Sequence, residues 1–384
     1  MNRVYMIGGL RTPIGKTGGT LKDFLPEQLA AAVLNGVVHT YNLLPQDIDQ
    51  VLLGNAVGPG GNIARVSVLA AGWPYTVPAI TIDAQCGSAL SAVNIAISQI
   101  HSGQAELILA GGVESTSMAP RRQFNPADPR FQGKQVYYER APFSTPEIGD
   151  PETGEAAEAL AASLSISRED MDALALESHR KASLARDQGL LADVLLPLKG
   201  LEKTIDRDEC IRDRISLTLL ERMKPAFIPG GRITAGNTCL THDGAAIILL
   251  ASAKAMARHQ LTPQAVITGT ASSGCDPNLF PLGPVRAIGK LLHQHGLQAR
   301  DVAAVEINEA FAVKILACCR QLGISLHKTN ILGGALAYGH PYGASGAIIL
   351  LHLLKALQKT GGQRGIAAIG AVGGMGIATL LERY

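Results

Sequence analysis

Short apolar runs recur along the chain, separated by longer patterns with helical spacing. Val4–Ile7, Val51–Leu53, Ile80–Asp83 and Leu107–Ala110 have the length and continuity of buried strands. Pro26–Val38 and Gly87–His101 carry helical patterns between them. The same order returns later. Strands are predicted over Val266–Thr268, Val305–Ile307, Thr329–Leu332 and Ala367–Ile369, and helices over Arg286–His295, Glu309–Leu322 and Gly343–Lys359. Such alternation predicts an α/β layered architecture. From Thr116 to Gly236 the chain is instead rich in Pro, Arg, Asp and Glu, with helical patterns at Ala156–Leu164 and Arg168–Gln188 and little strand signal. This stretch reads as an insertion that lids the core. Ala245–Ala251 reads as a strand returning to the first half.

The halves also share a register. Asp47-Ile48-Asp49-Gln50-Val51-Leu52-Leu53-Gly54-Asn55 leads to Cys86, and Asp301-Val302-Ala303-Ala304-Val305-Glu306-Ile307-Asn308-Glu309 leads to His340. The separations are equal, 86 − 47 = 39 and 340 − 301 = 39 positions. A thiol and an imidazole at matching places in an internal repeat predict a duplicated fold. A nucleophile and a base would meet at its pseudo-twofold axis, the geometry that nucleophilic acyl chemistry needs.

At 384 residues the chain is long enough for two or three domains with a large core. Its net charge of +2 argues against a nucleic-acid partner, which would need a clustered basic face. No apolar run is long enough to span a bilayer, and no secretion signal is seen in Met1–Gly9. The six cysteines form no CxxC pair and fit neither a zinc site nor a disulfide framework, which predicts reduced thiols in a cytoplasmic protein without a metal.

Cys86 follows an apolar run and precedes a helix of small and apolar residues. A thiol there feels the positive end of the helix dipole, which favours thiolate; a small buried core thiol is the plainer alternative. His340 sits in the glycine-rich turn Gly339-His340-Pro341-Tyr342-Gly343, just before another helix. Asn308 could hold a water or polarise a carbonyl, and Glu309 could cap the helix that follows it.

Three segments, Asp83-Ala84-Gln85-Cys86-Gly87-Ser88, Asn308-Glu309-Ala310-Phe311-Ala312 and Gly339-His340-Pro341-Tyr342-Gly343, resemble signature blocks of the thiolase family, the acetyl-CoA acetyltransferases. Arg11-Thr12-Pro13-Ile14-Gly15-Lys16, Gly111–Ser117, Lys224-Pro225-Ala226-Phe227 and Thr234–Asn237 are similar to thiolase text as well, so the likeness covers essentially the whole chain. The resemblance implies two βαβαβαββ halves packed as a five-layer α/β/α/β/α sandwich. The expected division is 1–116 with 241–270 as the first half, 117–240 as a loop or lid domain that binds coenzyme A, and 271–384 as the second half. It further implies that His340 activates Cys86, which takes up the acyl group as a thioester. One oxyanion hole would combine His340 with a water held by Asn308. Another would use backbone N–H groups of Cys86 and of the turn around Gly373, Gly374 and Gly376. Coenzyme A is implied as a substrate or product rather than a tightly bound cofactor, and a homodimer or homotetramer as the assembly.

The chain departs from the family at one reactive position. Gly370, in Gly370-Ala371-Val372-Gly373-Gly374-Met375-Gly376, stands where thiolases carry the cysteine that moves the proton of the condensation step. Cys239 or Glu309 could replace it; a carboxyl in a dry pocket can have its pKa raised toward neutrality. The acyl group could alternatively pass to a different acceptor, including water, or the chain could serve as a non-catalytic acyl-CoA-binding scaffold. At the substrate end, Lys224, Arg222 and Arg232 are candidates for the phosphates of coenzyme A. Phe227 and Cys239 are placed beside the substrate, and Phe280 is a candidate wall of the acyl pocket.

Overall fold

A computed structural model describes residues 2–138 and 140–384. The first half runs β1 (Val4–Arg11), β2 (Gly15–Lys16), α1 (Pro26–Thr40), β3 (Gln50–Gly54), α2 (Ile63–Ala70), β4 (Ala79–Ile82), α3 (Ser88–Ser102) and β5 (Leu107–Glu114). A middle segment carries α4 (Thr153–Ser163), α5 (Arg168–Asp187), the two-residue strands β6 (Leu198–Lys199) and β7 (Thr204–Ile205), and α6 (Leu217–Glu221). The chain returns to the first half as β8 (His242–Ser252) and turns through α7 (Ala253–His259). The second half runs β9 (Ala265–Gly274), α8 (Gly283–Gln294), β10 (Ala304–Ile307), α9 (Ala312–Leu322), α10 (Ala335–Tyr338), α11 (Ser345–Thr360), β11 (Arg364–Ala371) and β12 (Met375–Arg383).

The duplication is visible in the pairing. In the first half, β3 lies parallel between β4 and β5, and β5, β8 and β1 follow antiparallel. In the second, β10 pairs parallel with β11, and β11, β12 and β9 follow antiparallel. The strand predicted at Thr329–Leu332 is the equivalent of β4, but it shrinks to a single parallel bridge, Val305 with Thr329. Asn330 explains why: it sits in left-handed backbone, φ 46°, and its amide bonds to both the N–H and the C=O of Ile307, which ends the ladder. The predicted helix from Glu309 starts only at Ala312. The shared register has a physical basis, because Asp47 accepts from the N–H of Leu44 and Asp301 from that of Gln298, each at 2.8 Å, closing the same turn ahead of β3 and β10.

Three apolar cores separate five layers. Leu29, Val33, Leu34 and Val37 of α1 pack on the outer face of the first sheet. Ala287, Ile288, Leu291 and Leu292 of α8 pack on the outer face of the second. Between the sheets lie α3 and α11, whose side chains share the largest core. Helix α11 is apolar on nearly all sides from Gly346 to Leu354, broken only by the buried His352, as suits a helix in the central layer. The two halves join where Val4–Met6 of β1 pair with Ala265–Ile267 of β9.

Candidate active site

Both central helices are entered through tight turns, and these turns carry Cys86 and His340. After β4, Asp83 accepts from the N–H of Gln85 at 2.8 Å, and Gln85 takes left-handed backbone, φ 52°. Ser88 Oγ accepts from the N–H of Ala84 at 2.9 Å and donates to the carbonyl of Gln85 at 2.5 Å. A non-glycine residue in this region is held there only by such surrounding bonds. The result is a sharp strand-to-helix elbow with Cys86 at its tip, partly exposed and packed against the central core. The expectation of a thiolate here is not met. Burial pushes the Cys86 thiol up to about 11, against the opposing pull of the Lys314 cation.

His340 is buried, and its environment defines its tautomer. Ser345 Oγ lies 3.1 Å from the carbonyl of Pro341, to which it donates, and 2.5 Å from His340 Nδ1. With the hydroxyl hydrogen directed at Pro341, the network assigns the proton to Nδ1 and leaves Nε2 as an acceptor. Asn308 Nδ2 lies 3.3 Å from that Nε2, and Asn308 Oδ1, also buried, meets no donor among the described residues. Burial, with help from Lys314 and His242, drives the imidazole pKa well below its ordinary value, so the ring is a neutral base. Tyr342 stands edge-on to it, ring centroids 5.0 Å apart. The backbone N–H of His340 donates to His242 Nδ1 at 3.0 Å.

Glu114, at the end of β5, ties this turn to the other half. Its carboxylate accepts from Gly343 N at 3.0 Å, Ala56 N at 3.0 Å, Val57 N at 3.2 Å and Asn55 Nδ2 at 2.9 Å. Burial raises its pKa to about 7 against the three backbone donors. The approach is close because Gly112 has no side chain: a Cβ there would fall 1.9 Å from the carbonyl oxygen of Gly343.

Glu309 does not cap α9. Its carboxylate accepts from Ser178 Oγ at 2.6 Å, Asn330 Nδ2 at 2.7 Å and the N–H of Leu336 at 3.3 Å, so it holds the start of α10 against α5. Cys239 is fixed by its N–H to the carbonyl of Ala310 at 3.0 Å, and burial pushes its thiol up to about 12. Gly373 and Gly374 turn β11 into β12 with φ of 79° and 80°, and Gly370 pairs with Gly376 at the foot of this hairpin. Phe280 is buried in a cluster with Leu160, Phe311, Leu336 and Val372, beneath α4. Phe227 is exposed on one side and meets Phe311 edge-on at 6.1 Å. Lys224 is exposed, without an ion-pair partner among the described residues. Arg232, by contrast, turns its guanidinium onto the carbonyls of Ala161 and Ile166, so it braces α4 instead of facing solvent phosphate.

Sequence reasoning passed over three residues of this region. Glu114 was visible only as part of a motif. Ser345 looked like any helix-start serine. Lys314 is the third, a cation in the apolar stretch Ala312-Val313-Lys314-Ile315-Leu316-Ala317, and that incongruity was the signal. It is fully buried, and its Nζ donates to the carbonyl oxygen of Gly370 at 3.3 Å.

Comparison with known proteins agrees with this geometry. The family model described as "Thiolase, N-terminal domain" matches residues 4–254, and "Thiolase, C-terminal domain" matches 261–383. The chain is 43% identical over 385 residues to "Putative acetyl-CoA C-acetyltransferase YhfS" of Bacillus subtilis (strain 168), covering 100% of this chain and 99% of that protein. It is 38% identical over 384 residues to "Putative acetyl-CoA C-acetyltransferase VraB" of Staphylococcus haemolyticus, covering 100% of both. The crystal structure of the Bacillus anthracis acetyl-CoA acetyltransferase superimposes with a TM-score of 0.94 at 35% identity, covering 100% of this chain and 99% of that one. Human mitochondrial 3-ketoacyl-CoA thiolase in complex with CoA superimposes with a TM-score of 0.92 at 34% identity, covering 100% and 98%.

Proposed function

This chain belongs to the thiolase family and is an acyltransferase, and on that premise we propose that it moves acyl groups between coenzyme A thioesters through an acyl-enzyme on Cys86. The reaction is that of an acetyl-CoA C-acetyltransferase or a 3-ketoacyl-CoA thiolase. The observation that carries the reading is the buried His340, its Nδ1 2.5 Å from Ser345 Oγ and its Nε2 3.3 Å from Asn308 Nδ2, with a pKa that burial drives well below the ordinary value. A base so prepared sits on the repeat-equivalent of the elbow that presents Cys86.

Thiol and imidazole are both neutral at rest, so proton transfer accompanies attack. His340 Nε2 accepts the proton as Cys86 Sγ adds to the thioester carbonyl, and the imidazolium returns it to the departing coenzyme A thiolate. The oxygen of the tetrahedral intermediate is stabilised by N–H groups of Cys86 and of the hairpin at Gly373, Gly374 and Gly376. Asn308 and His340 serve the second thioester. The middle segment, 117–240, is taken as the lid that binds coenzyme A. Lys224 meets its phosphates, Phe227 and Cys239 its pantetheine arm, and Phe280 bounds the acyl pocket. The site belongs to a cytoplasmic homo-oligomer joined through the exposed edge strand β4, where Ile80 faces solvent. No described helix is long and apolar enough to cross a membrane.

The test is intact-protein mass after mixing wild type and Cys86→Ala with acetyl-CoA, with acetoacetyl-CoA formation and cleavage assayed alongside. An acetyl adduct on the wild type alone, with carbon–carbon turnover, is expected. An adduct without carbon–carbon chemistry would move the reading to transfer onto another acceptor. No adduct with any acyl-CoA would leave a binding scaffold.

A further inference from the structure

Lysine is almost never fully buried unless paired, and among the described residues Lys314 has no carboxylate within ion-pair distance. Its ammonium offers three donors, yet among the described residues only the carbonyl oxygen of Gly370 receives one. The titratable groups around it are Cys86 on the elbow, Cys239 ahead of β8, Cys318 one turn along α9 and His340 on its turn. None supplies a resident negative charge. Such an amine costs the fold stability without any evident structural return.

Its position is informative. The Gly370 backbone is closed to a side chain, because a Cβ there would come 2.8 Å from Pro284 Cδ and 3.1 Å from the carbonyl of Phe280. The amine of Lys314 reaches the same backbone site from α9. We propose that the amine of Lys314 is the acid/base group that carries the α-proton in the carbon–carbon step, replacing a side chain that position 370 cannot hold. The inference rests on the acyl-Cys86 reading above.

The step balances as follows. The free amine takes a proton from the methyl carbon of a second acetyl-CoA. The carbanion attacks the acetyl carbonyl on Cys86, a carbon–carbon bond forms and the bond to Cys86 Sγ breaks. The ammonium then returns its proton to the departing thiolate. In the cleavage direction the ammonium protonates the enolate of acetyl-CoA as it leaves. Burial lowers the amine pKa and so raises the share of free base at neutral pH. The rival groups are less suited: both Glu309 oxygens are engaged by Ser178, Asn330 and Leu336, and the Cys239 thiol is held in its acid form.

The experiment compares wild type with Lys314→Met and Lys314→Arg. Intact mass reads acetylation of Cys86, and deuterium entry into the methyl group of acetyl-CoA in D2O reads α-proton abstraction alone. Both variants should still acquire the acetyl group. Deuterium exchange and acetoacetyl-CoA cleavage should fall ~10²–10⁴-fold in each, the usual loss on removing a positioned acid/base; arginine keeps the charge but cannot accept a proton. Exchange in either variant at the wild-type rate overturns the inference. Should both variants misfold, the wild-type pH profile decides: exchange must rise with pH to a midpoint below the ordinary lysine value as the amine deprotonates, and a profile flat throughout overturns the proposal. Wild type that acetylates without any exchange sinks this inference alone. Wild type that never acetylates sinks the acyl-enzyme reading and this inference with it.

Discussion

Arg11 grips Asp208 with both terminal guanidinium nitrogens, at 2.7 and 2.8 Å, and the pair's side chains are sealed from solvent where the middle segment crosses the first sheet. Asp208 also accepts from the N–H of Ile14 at 2.9 Å, so one carboxylate fixes the segment to the core twice. Removing it strands a buried guanidinium. Asp208→Ala should therefore destabilise the protein by about 3–5 kcal/mol. Replacing both partners, Arg11→Met with Asp208→Leu, should recover most of that loss. Urea unfolding of the two variants against wild type measures it, and a loss in Asp208→Ala below about 1 kcal/mol would contradict the role given to this pair.

Ser345 sets which nitrogen of His340 bears the proton. Ser345→Ala removes the partner of Nδ1–H and frees the other tautomer. Single-turnover acetylation of Cys86 should slow by ~10²-fold with little change in acetyl-CoA binding, since proton acceptance rather than substrate contact is lost. Unchanged acetylation kinetics would show that the tautomer is fixed elsewhere.

Alkylation of Cys86 by iodoacetamide should climb steeply with pH toward a midpoint near the thiol's pKa of about 11. A residue with an activated thiolate would react at a nearly constant rate from pH 7 upward. That plateau would show that binding-site electrostatics, not burial, control the free enzyme.

Acid should unfold the protein earlier than its carboxylates alone require. His179 and His242 are buried uncharged, each with its pKa lowered to about 4. Below their ordinary value of 6.5 the unfolded chain binds protons that the folded chain refuses, so stability falls as pH drops from 6.5 toward 4, by about 3 kcal/mol for each. Glu114 acts in the opposite sense: raised to about 7, it gains stability as pH falls from 7 to 4.5. Burial likewise lowers His340 and His352 and raises Glu306 and Glu309, so four histidines oppose three carboxyls. Thermal melts across pH 4–7 should show a falling midpoint, flattened in His179→Asn, whose side-chain oxygen can accept from the N–H of Arg212 that now bonds His179 at 3.1 Å.

Lys314→Met should melt at or above the wild-type temperature, because an apolar side chain of similar length relieves the desolvation of a lone amine. A drop of several degrees would mark Lys314 as a structural residue.

Much of the architecture was legible because its physics is local. Strand-length apolar runs, the largely apolar first part of α11 and the equal spacing to Cys86 and His340 are all readable along the chain. The run Thr329–Leu332 has the text of a strand but keeps one bridge, since the side-chain bonds of Asn330 end the ladder ahead of Ile331-Leu332, which no period reveals. The thiol's protonation state was misjudged for a similar reason. A helix terminus is readable in sequence, but the low dielectric around Cys86 is made by residues from several elements. Glu309 looked like a cap because it precedes a helix; the helix it holds is α10, twenty-six residues on, counting from Glu309 to Ala335.

The pairing of Val4–Met6 with Ala265–Ile267 bears on how the chain can be divided. In the intact protein β1 and β9 shield each other's edges. A gene cut between residues 254 and 261 would yield two polypeptides, each with a raw strand edge and an uncovered central helix, the features that drive self-association. Each should precipitate when made alone. Produced together, they should find one another and regain thioester chemistry, because Cys86 comes with one polypeptide and His340 with the other.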